Sequence, residues 1–261
     1  MELGPSTRVL ITGASRGIGL ACARAFSEHG CPVALVARTA DELEQAAEQL
    51  PGPAAAIPAD VSSSAEVQRA IDRCVSQLGG LEVVIANAGI AHYGPLLDVD
   101  PESAERMVSV NVLGTLHTVR AAGVALRDHG GGSLVVVSSG AGLRAFPSAA
   151  VYGGTKAFGR GLAEALGHEF APHGITVTTV YPGEIDTGLH DHERERMPDW
   201  YKGETLPPSE VAERIVEAVR KGSREVHVPK EVRLLGANGL APGLVDRLLR
   251  RLRGRSAAPG R

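Results

Sequence analysis

The chain is poor in aromatic side chains: four Phe, four Tyr and one Trp in 261 residues. A core of any size must therefore be filled by Ala, Val, Leu, Ile and Gly, and the 43% hydrophobic content is enough for a buried sheet. Cysteine is scarce too. Cys22, Cys31 and Cys74 show no C-x-x-C spacing and no even-numbered framework, which argues against disulfides and zinc and for a reducing compartment. No apolar run approaches the ~20 residues of a spanning helix. The first one, residues 9–11, meets a glycine turn at once and does not read as a secretory signal. The expected location is cytoplasmic. A general basic surface is also missing. Residues 230–261 carry eight Lys/Arg against Glu231 and Asp246, a net +6, which leaves −9 on residues 1–229 and excludes nucleic acid as a partner of that body.

What is present is a regular alternation. Short apolar runs, most of them rich in β-branched residues, occur at Arg8–Thr12, Val33–Ala37, Ala54–Pro58, Val83–Ala86, Ser133–Ser138, Thr176–Tyr181 and Glu225–Val228. Helix-period segments lie between them, at Gly17–His29, Ala40–Leu50, Ser64–Leu78, Pro101–Asp128, Ala150–Pro172 and Pro208–Lys221. Strands alternating with helices imply parallel strands with right-handed crossovers. The expected fold is α/β: a doubly wound, seven-stranded parallel sheet of Rossmann type in one domain over 1–229, followed by a basic extension over 230–261.

The first strand runs into Thr12-Gly13-Ala14-Ser15-Arg16-Gly17-Ile18-Gly19. Glycines there let the backbone approach a pyrophosphate at a helix N-terminus, although tight packing of helix on strand also favours glycine. About 18–20 residues past the last glycine, NAD-binding folds carry an acid for the ribose 2′-hydroxyl. This chain has Ala37 and then Arg38, with Arg16 inside the glycine turn. Two guanidiniums suit a 2′-phosphate through bidentate, charge-assisted hydrogen bonds, so the expected cofactor is NADP(H).

Tyr152 and Lys156 stand four apart on a predicted helix and share a face. An ammonium beside a phenol favours the phenolate and makes proton exchange accessible near neutrality. Ser139 follows the fifth strand, placed to hydrogen-bond a reacting oxygen. Gly13, Arg38, Asp60, Asn87, Ser139 and Pro182 each follow a different predicted strand, so a parallel sheet brings them to one carboxyl edge, where ligands bind.

Together, Thr12-Gly13-x-x-x-Gly17-x-Gly19, Asn87-Ala88-Gly89, Asn111, Ser139, Tyr152-x-x-x-Lys156 and Pro182-Gly183 resemble the motif set of the short-chain dehydrogenase/reductase family over residues 7–229. The resemblance implies hydride transfer between nicotinamide and a carbonyl or carbinol carbon. It implies that Ser139 polarises the carbonyl, that Tyr152 protonates it, and that Lys156 tunes Tyr152 and holds the nicotinamide ribose. Asn111 would anchor a water of the proton relay. Gly13, Ser15, Arg16, Gly17, Ile18, Gly19 and Arg38 would bind the cofactor, with Asp60 and Val61 at the adenine and Asn87 steadying the cofactor-side strand. Ile185 and Thr187, after Pro182-Gly183, would hold the carboxamide.

Three loops, Ile90–Leu97, Gly140–Val151 and Glu184–Pro207, are expected to wall the substrate. Tyr93, Phe146, Tyr181, Trp200 and Tyr201 lie in or beside them, with Leu143, Leu189, Met197 and Leu206, which suggests an apolar carbonyl or alcohol. His190-Asp191-His192-Glu193 has the wrong spacing for a shared helix face, and no metal is expected. A non-catalytic NADP sensor would keep the glycine turn and lose Ser, Tyr or Lys, and this chain keeps all three. An epimerase or dehydratase on the same fold would carry a longer C-terminal substrate domain. Family resemblance suggests a homodimer or homotetramer on the helices near 101–128 and 150–172, where Ala157, Gly159, Gly161, Ala163 and Ala165 allow close approach. In the tail, Leu244, Val245, Leu248, Leu249 and Leu252 fall on one helical arc and arginines on the other. That arc over residues 240–255 either packs on protein or gives peripheral contact with an anionic membrane.

Overall fold

The computed structural model describes residues 1–189 and 205–239, together with Gly243. Seven strands form one sheet: β1 Val9–Thr12, β2 Val33–Ala37, β3 Ala54–Pro58, β4 Val83–Ala86, β5 Gly132–Val137, β6 Ile175–Pro182 and β7 Glu225–Val228. Their spatial order is β3-β2-β1-β4-β5-β6-β7, and every pair is parallel. The helices are α1 Gly17–Glu28, α2 Ala40–Glu48, α3 Ser64–Leu78, α4 Pro101–Met107, α5 Gly114–Asp128, α6 Gly140–Leu143, α7 Ala150–Glu169 and α8 Pro208–Lys221. This is the doubly wound Rossmann-type sheet expected from the alternation.

The strands read as near-continuous apolar runs because helices cover both faces. Val9, Ile11, Leu35, Ile85 and Val135 face α1 and α8, where they meet Phe26, Val211, Ile215 and Val219. Leu10, Val36, Val84, Leu134 and Val136 face the other way, onto Ile71, Val119, Leu126 and Ala163 of α3, α5 and α7. The alternation follows from the two-residue period of a strand. Each large side chain that is fully removed from water contributes roughly 1.5–3 kcal/mol. Cys22 and Cys74 sit in these layers, and burial pushes both thiols up to about 12, so they behave as small apolar groups. β3 is an outer strand paired only with β2, where an alanine run ending in Pro58 is tolerated.

Helix ends follow local chemistry. Ser63 accepts a hydrogen bond from Glu66 N–H, and Gly79 closes α3 in the left-handed region. Asp100 accepts from Ser103 N–H at 2.9 Å, with Pro101 in the first turn of α4. The single helix expected over 101–128 is interrupted: Val108–Leu113 is a π-helical segment between α4 and α5. Side-chain period gives no warning of such a wide turn, and π segments often mark functional positions. The helix expected to reach Pro172 ends at Glu169, and Ala171–His173 forms a 3₁₀ turn closed by Gly174. Gly140–Leu143, expected as loop, makes a short helix.

The tail does not leave the body at once. Lys230–Gly239 is 3₁₀-helical, and Val232 is buried near Gly140 and Gly183. The predicted amphipathic helix over 240–255, Gly243 apart, and the His190–Glu193 run lie outside the described residues.

Candidate active site

β1 and β4 are neighbours in the sheet, although β2 and β3 lie between them in sequence. Chains leave these two strands toward opposite faces, which opens a crevice at their carboxyl ends. A cleft of about 300 Å³ occupies it.

The glycine turn forms the floor. Gly13 and Gly17 have φ of +66° and +58°. At Gly19 the demand is closeness: a Cβ there would lie 2.1 Å from the Gly13 carbonyl oxygen, so only glycine lets α1 pack on the turn. Asn87 locks the same turn from β4. Its Nδ2 donates to the Thr12 and Gly13 carbonyls at 2.9 and 3.1 Å. Thr12 Oγ1 in turn accepts from the N–H groups of Asn87 and Ala88. Arg16 is the N-cap of α1 and offers no side-chain cap, and no acid stands in the first turn, so that helix end is set up for negative charge.

Arg16 and Arg38 line one end of the cleft together with Ala37, Thr39, Glu42, Asp60 and Val61. Neither guanidinium has a hydrogen bond or ion pair among the described residues. Burial acts to raise the Asp60 carboxyl, but Ser62 N–H and Oγ at 2.9 and 2.8 Å and the charges of Arg38 and Arg106 outweigh it and hold the group below the usual range.

At the other end stand Ser139, Tyr152 and Lys156. Ser139 caps α6, its Oγ accepting from Ala141 N–H at 3.1 Å, which leaves its O–H free to donate. Lys156 is buried at the cleft wall. Its Nζ donates to the Val137 carbonyl at 3.1 Å and lies 5.9 Å from the centre of the Tyr152 ring. Burial lowers this ammonium to about 8. Ser138, beside Ser139, donates to the Lys156 carbonyl at 2.8 Å and ties α7 to β5.

Asn111 lies in the π-helical segment. Its Oδ1 accepts from Ile90 N–H at 2.8 Å, and its Nδ2 donates to the Ile90 carbonyl at 2.9 Å and to Thr155 Oγ1 at 3.0 Å. Thr155 Oγ1 then donates to the Tyr152 carbonyl. A Cβ on Gly89 would stand 3.2 Å from Lys156 Nζ and 3.3 Å from Asn111 Oδ1, so that glycine keeps a polar gap between them.

Of the residues assigned from sequence, Gly13, Ser15, Arg16, Gly17, Ile18, Arg38, Asp60, Val61, Asn87, Ser139, Tyr152, Lys156, Pro182, Gly183, Ile185 and Thr187 all line the cleft. Gly19 and Asn111 do not: one packs helix on turn, and the other clamps the Ile90 backbone behind the wall. Thr187 also packs against Gly17, bringing the loop after β6 onto the glycine turn. Sequence reasoning does not single out Thr39, Glu42, Ser138 or Thr155. Thr39-x-x-Glu42 carries a readable signal, a capping-box spacing, whereas the other two act through contacts that only the fold creates.

On the substrate side, Tyr93, Met107, Ala149 and Tyr152 form a small apolar cluster edged by Ile90, Phe146, Val151 and Leu189. The Tyr93 and Tyr152 rings are tilted by 60° at 5.9 Å. Tyr181, expected beside the substrate, is instead buried in β6 and stacked on His227 at 4.9 Å, because β7 pairs with β6 and sets His227 opposite it. Trp200, Tyr201 and Met197 lie outside the described residues.

The sequence pattern of the family described as short chain dehydrogenase matches residues 7–198. The chain belongs to the short-chain dehydrogenase/reductase family. It is an oxidoreductase, NAD(P)-dependent, acting on CH–OH or C=O groups. A short-chain dehydrogenase/reductase of Armillaria gallica is 36% identical over 189 residues, covering 70% of this chain and 72% of its own. The crystal structure of a 3-ketoacyl-(acyl-carrier-protein) reductase of Brucella melitensis, complexed with NADH, is similar with a TM-score of 0.79 at 28% identity, covering 85% of this chain and 96% of that one. That of an alcohol dehydrogenase from the archaeon Thermococcus sibiricus, complexed with 5-hydroxy-NADP, gives 0.74 at 30% identity, covering 85% and 95%. Among the described residues no helix is long and apolar enough to cross a membrane, and no cluster of metal-ligating side chains occurs.

Proposed function

We propose that this short-chain dehydrogenase/reductase uses NADP(H) and acts on an apolar carbonyl or secondary alcohol. The observation that carries the cofactor choice is the pair Arg16 and Arg38, which make no hydrogen bond or ion pair among the described residues, at a cleft end where β2 finishes in Ala37 rather than an acid. The cleft suits a dinucleotide on its own chemistry. It has a glycine floor whose close backbone packing leaves no room for a Cβ, an uncapped helix N-terminus for the pyrophosphate, and a buried ammonium at the far end. Gly13, Ser15, Gly17 and Ile18 would hold the pyrophosphate side, Arg16 and Arg38 the 2′-phosphate, and Asp60 and Val61 the adenine. Asn87 would brace the strand, Lys156 would hold the nicotinamide ribose, and Pro182, Gly183, Ile185 and Thr187 would hold the carboxamide.

When bound, the nicotinamide supplies or accepts the hydride. Ser139 donates its O–H to the substrate oxygen, since its Oγ lone pair is already engaged by Ala141. Tyr152 passes a proton to that oxygen during reduction and takes it back during oxidation. Lys156 places positive charge beside the phenol and favours its ionised form. Asn111 holds the helix turn of Tyr152 through Thr155, and the gap that Gly89 leaves between Lys156 and Asn111 supports a place for one relay water. The Tyr93, Phe146 and Leu189 surface supports an apolar substrate.

The test is kinetic. NADPH should be preferred over NADH in kcat/KM, and Ala37→Asp combined with Arg38→Leu should reverse the preference, by repelling the phosphate and offering the ribose an acceptor. Equal kcat/KM for both cofactors in the parent would remove the roles given to both arginines.

Self-association on α5 and α7 is supported by exposed Leu116 and Val124, and by the outward Gly161, which has open space around it. The leucine arc of residues 240–255 is proposed to be covered by protein, with anionic lipid as its alternative surface. Leu234, in the 3₁₀ segment that precedes it, is 73% exposed. A chain ending at Gly239 keeps Val232 in place, and comparing it with the full chain by light scattering and by co-sedimentation with anionic vesicles separates the two. Lost oligomer size supports the protein contact. Lost sedimentation supports the lipid contact. Neither change removes both.

A further inference from the structure

The adenosine end of the cleft holds a carboxylate that works against its arginines. Glu42 is the third residue of α2 and lines the cleft with Arg16, Arg38 and Thr39. Thr39 is the N-cap of that helix, so Thr39-x-x-Glu42 has the spacing of a capping box, in which each side chain satisfies a backbone N–H of the other residue. The box is not closed. The Thr39 side chain makes no cap hydrogen bond, and Glu42 has no hydrogen bond or ion pair among the described residues. Elsewhere in the chain the same spacing is at least half used: Ser63 accepts from Glu66 N–H, while the Glu66 carboxylate accepts from Asp60 N–H at 2.8 Å. Among the described residues the Glu42 carboxylate is thus neither paired with an arginine nor drawn back onto its own helix.

We propose that Glu42 is a specificity-determining residue that opposes Arg16 and Arg38: its carboxylate repels a 2′-phosphate at the adenosine end and limits the preference for NADPH over NADH. The inference rests on the reading that this end of the cleft receives the 2′-position. Repulsion between a carboxylate and a phosphate at a water-facing site is moderate and falls with salt. It acts on the 2′-phosphate rather than on the pyrophosphate, which lies at the glycine turn and the N-terminus of α1.

The experiment uses the full chain and two probes that carry no nicotinamide, adenosine 2′,5′-bisphosphate and adenosine 5′-monophosphate, titrated calorimetrically. Glu42→Gln should tighten the bisphosphate about three- to tenfold at low ionic strength and change the monophosphate by less than about twofold. The gain should shrink toward nothing near 0.5 M salt, roughly, where the Debye length is only a few ångströms. Asp41→Asn changes a neighbouring exposed acid that does not line the cleft, and should move neither probe. Equal tightening of both probes by Glu42→Gln, or no tightening, overturns the proposal. The parent's NADPH-to-NADH ratio is read separately. If the parent favours NADH while Glu42→Gln still tightens the bisphosphate, the cofactor reading fails and the role of Glu42 stands. If the parent favours NADPH and the variant shifts nothing, the reverse holds.

Discussion

The two halves of the cleft are built differently. The half proposed for the cofactor has a floor of backbone, with glycine turn, helix end and strand ends cross-tied by Thr12 and Asn87 through hydrogen bonds of 2.9–3.2 Å. The substrate half is made of side chains from loops after β4, β5 and β6, meeting at Tyr152 in a cluster with Tyr93, Met107 and Ala149. Backbone recognition tolerates almost no added atoms, whereas a side-chain wall can be re-shaped one residue at a time.

The sharpest way to separate the halves is Tyr152→Phe. Turnover should fall about 10³-fold, because only the proton donor is lost, while NADPH binds within about twofold of the parent. Fluorescence titration beside steady-state rates checks this, and substantial turnover in the variant would refute the assigned chemistry.

The complementary break is Gly19→Ala. Its Cβ would fall 2.1 Å from the Gly13 oxygen. Either α1 or the glycine turn must move, so cofactor affinity should drop by at least tenfold, roughly, and stability by about 1–3 kcal/mol. Cofactor titration and denaturant melts measure both, and an unaltered Kd would show that the turn is looser than its geometry implies.

Lys156 belongs to both halves and gives the most diagnostic effect, one of opposite sign in stability. Its folded-state pKa, about 8, lies below the ordinary 10.5 because the ammonium is buried. The unfolded chain therefore binds the proton more tightly than the folded one. Between pH 8 and 10.5 this group makes the protein more stable as pH rises, and below pH 8 its full penalty is present. Lys156→Met should abolish turnover yet stabilise the cofactor-free protein at pH 7 by up to about 3 kcal/mol, with the gain fading toward pH 10.5. Urea melts across that range test it, and a destabilised variant at pH 7 would contradict the assigned burial cost.

Most of the cofactor half was legible in the sequence. Gly13 and Gly17 announce a turn with positive φ, the apolar strands announce a sheet covered on both faces, and strand ends in a parallel sheet share one edge. The substrate half was legible only as a set of loops. Tyr181 reads as a loop-side residue because it closes an apolar run, yet pairing with β7 buries its ring against His227. The π-helical turn at Val108–Leu113 was hidden because side-chain period does not reveal a wide turn, and Asn111 within it bonds Ile90 and Thr155 from distant parts of the chain.

The sequence by itself determined the order of elements, the glycine turn and the Ser139, Tyr152 and Lys156 set, because each depends on local period or fixed spacing. Only the tertiary structure decided that Asn111 clamps a loop from behind the wall, that Lys156 is buried enough to titrate near 8, and that Glu42 lines the same cleft as Arg16 and Arg38. Those properties arise from what surrounds a side chain, and residues far apart in the chain supply the surroundings.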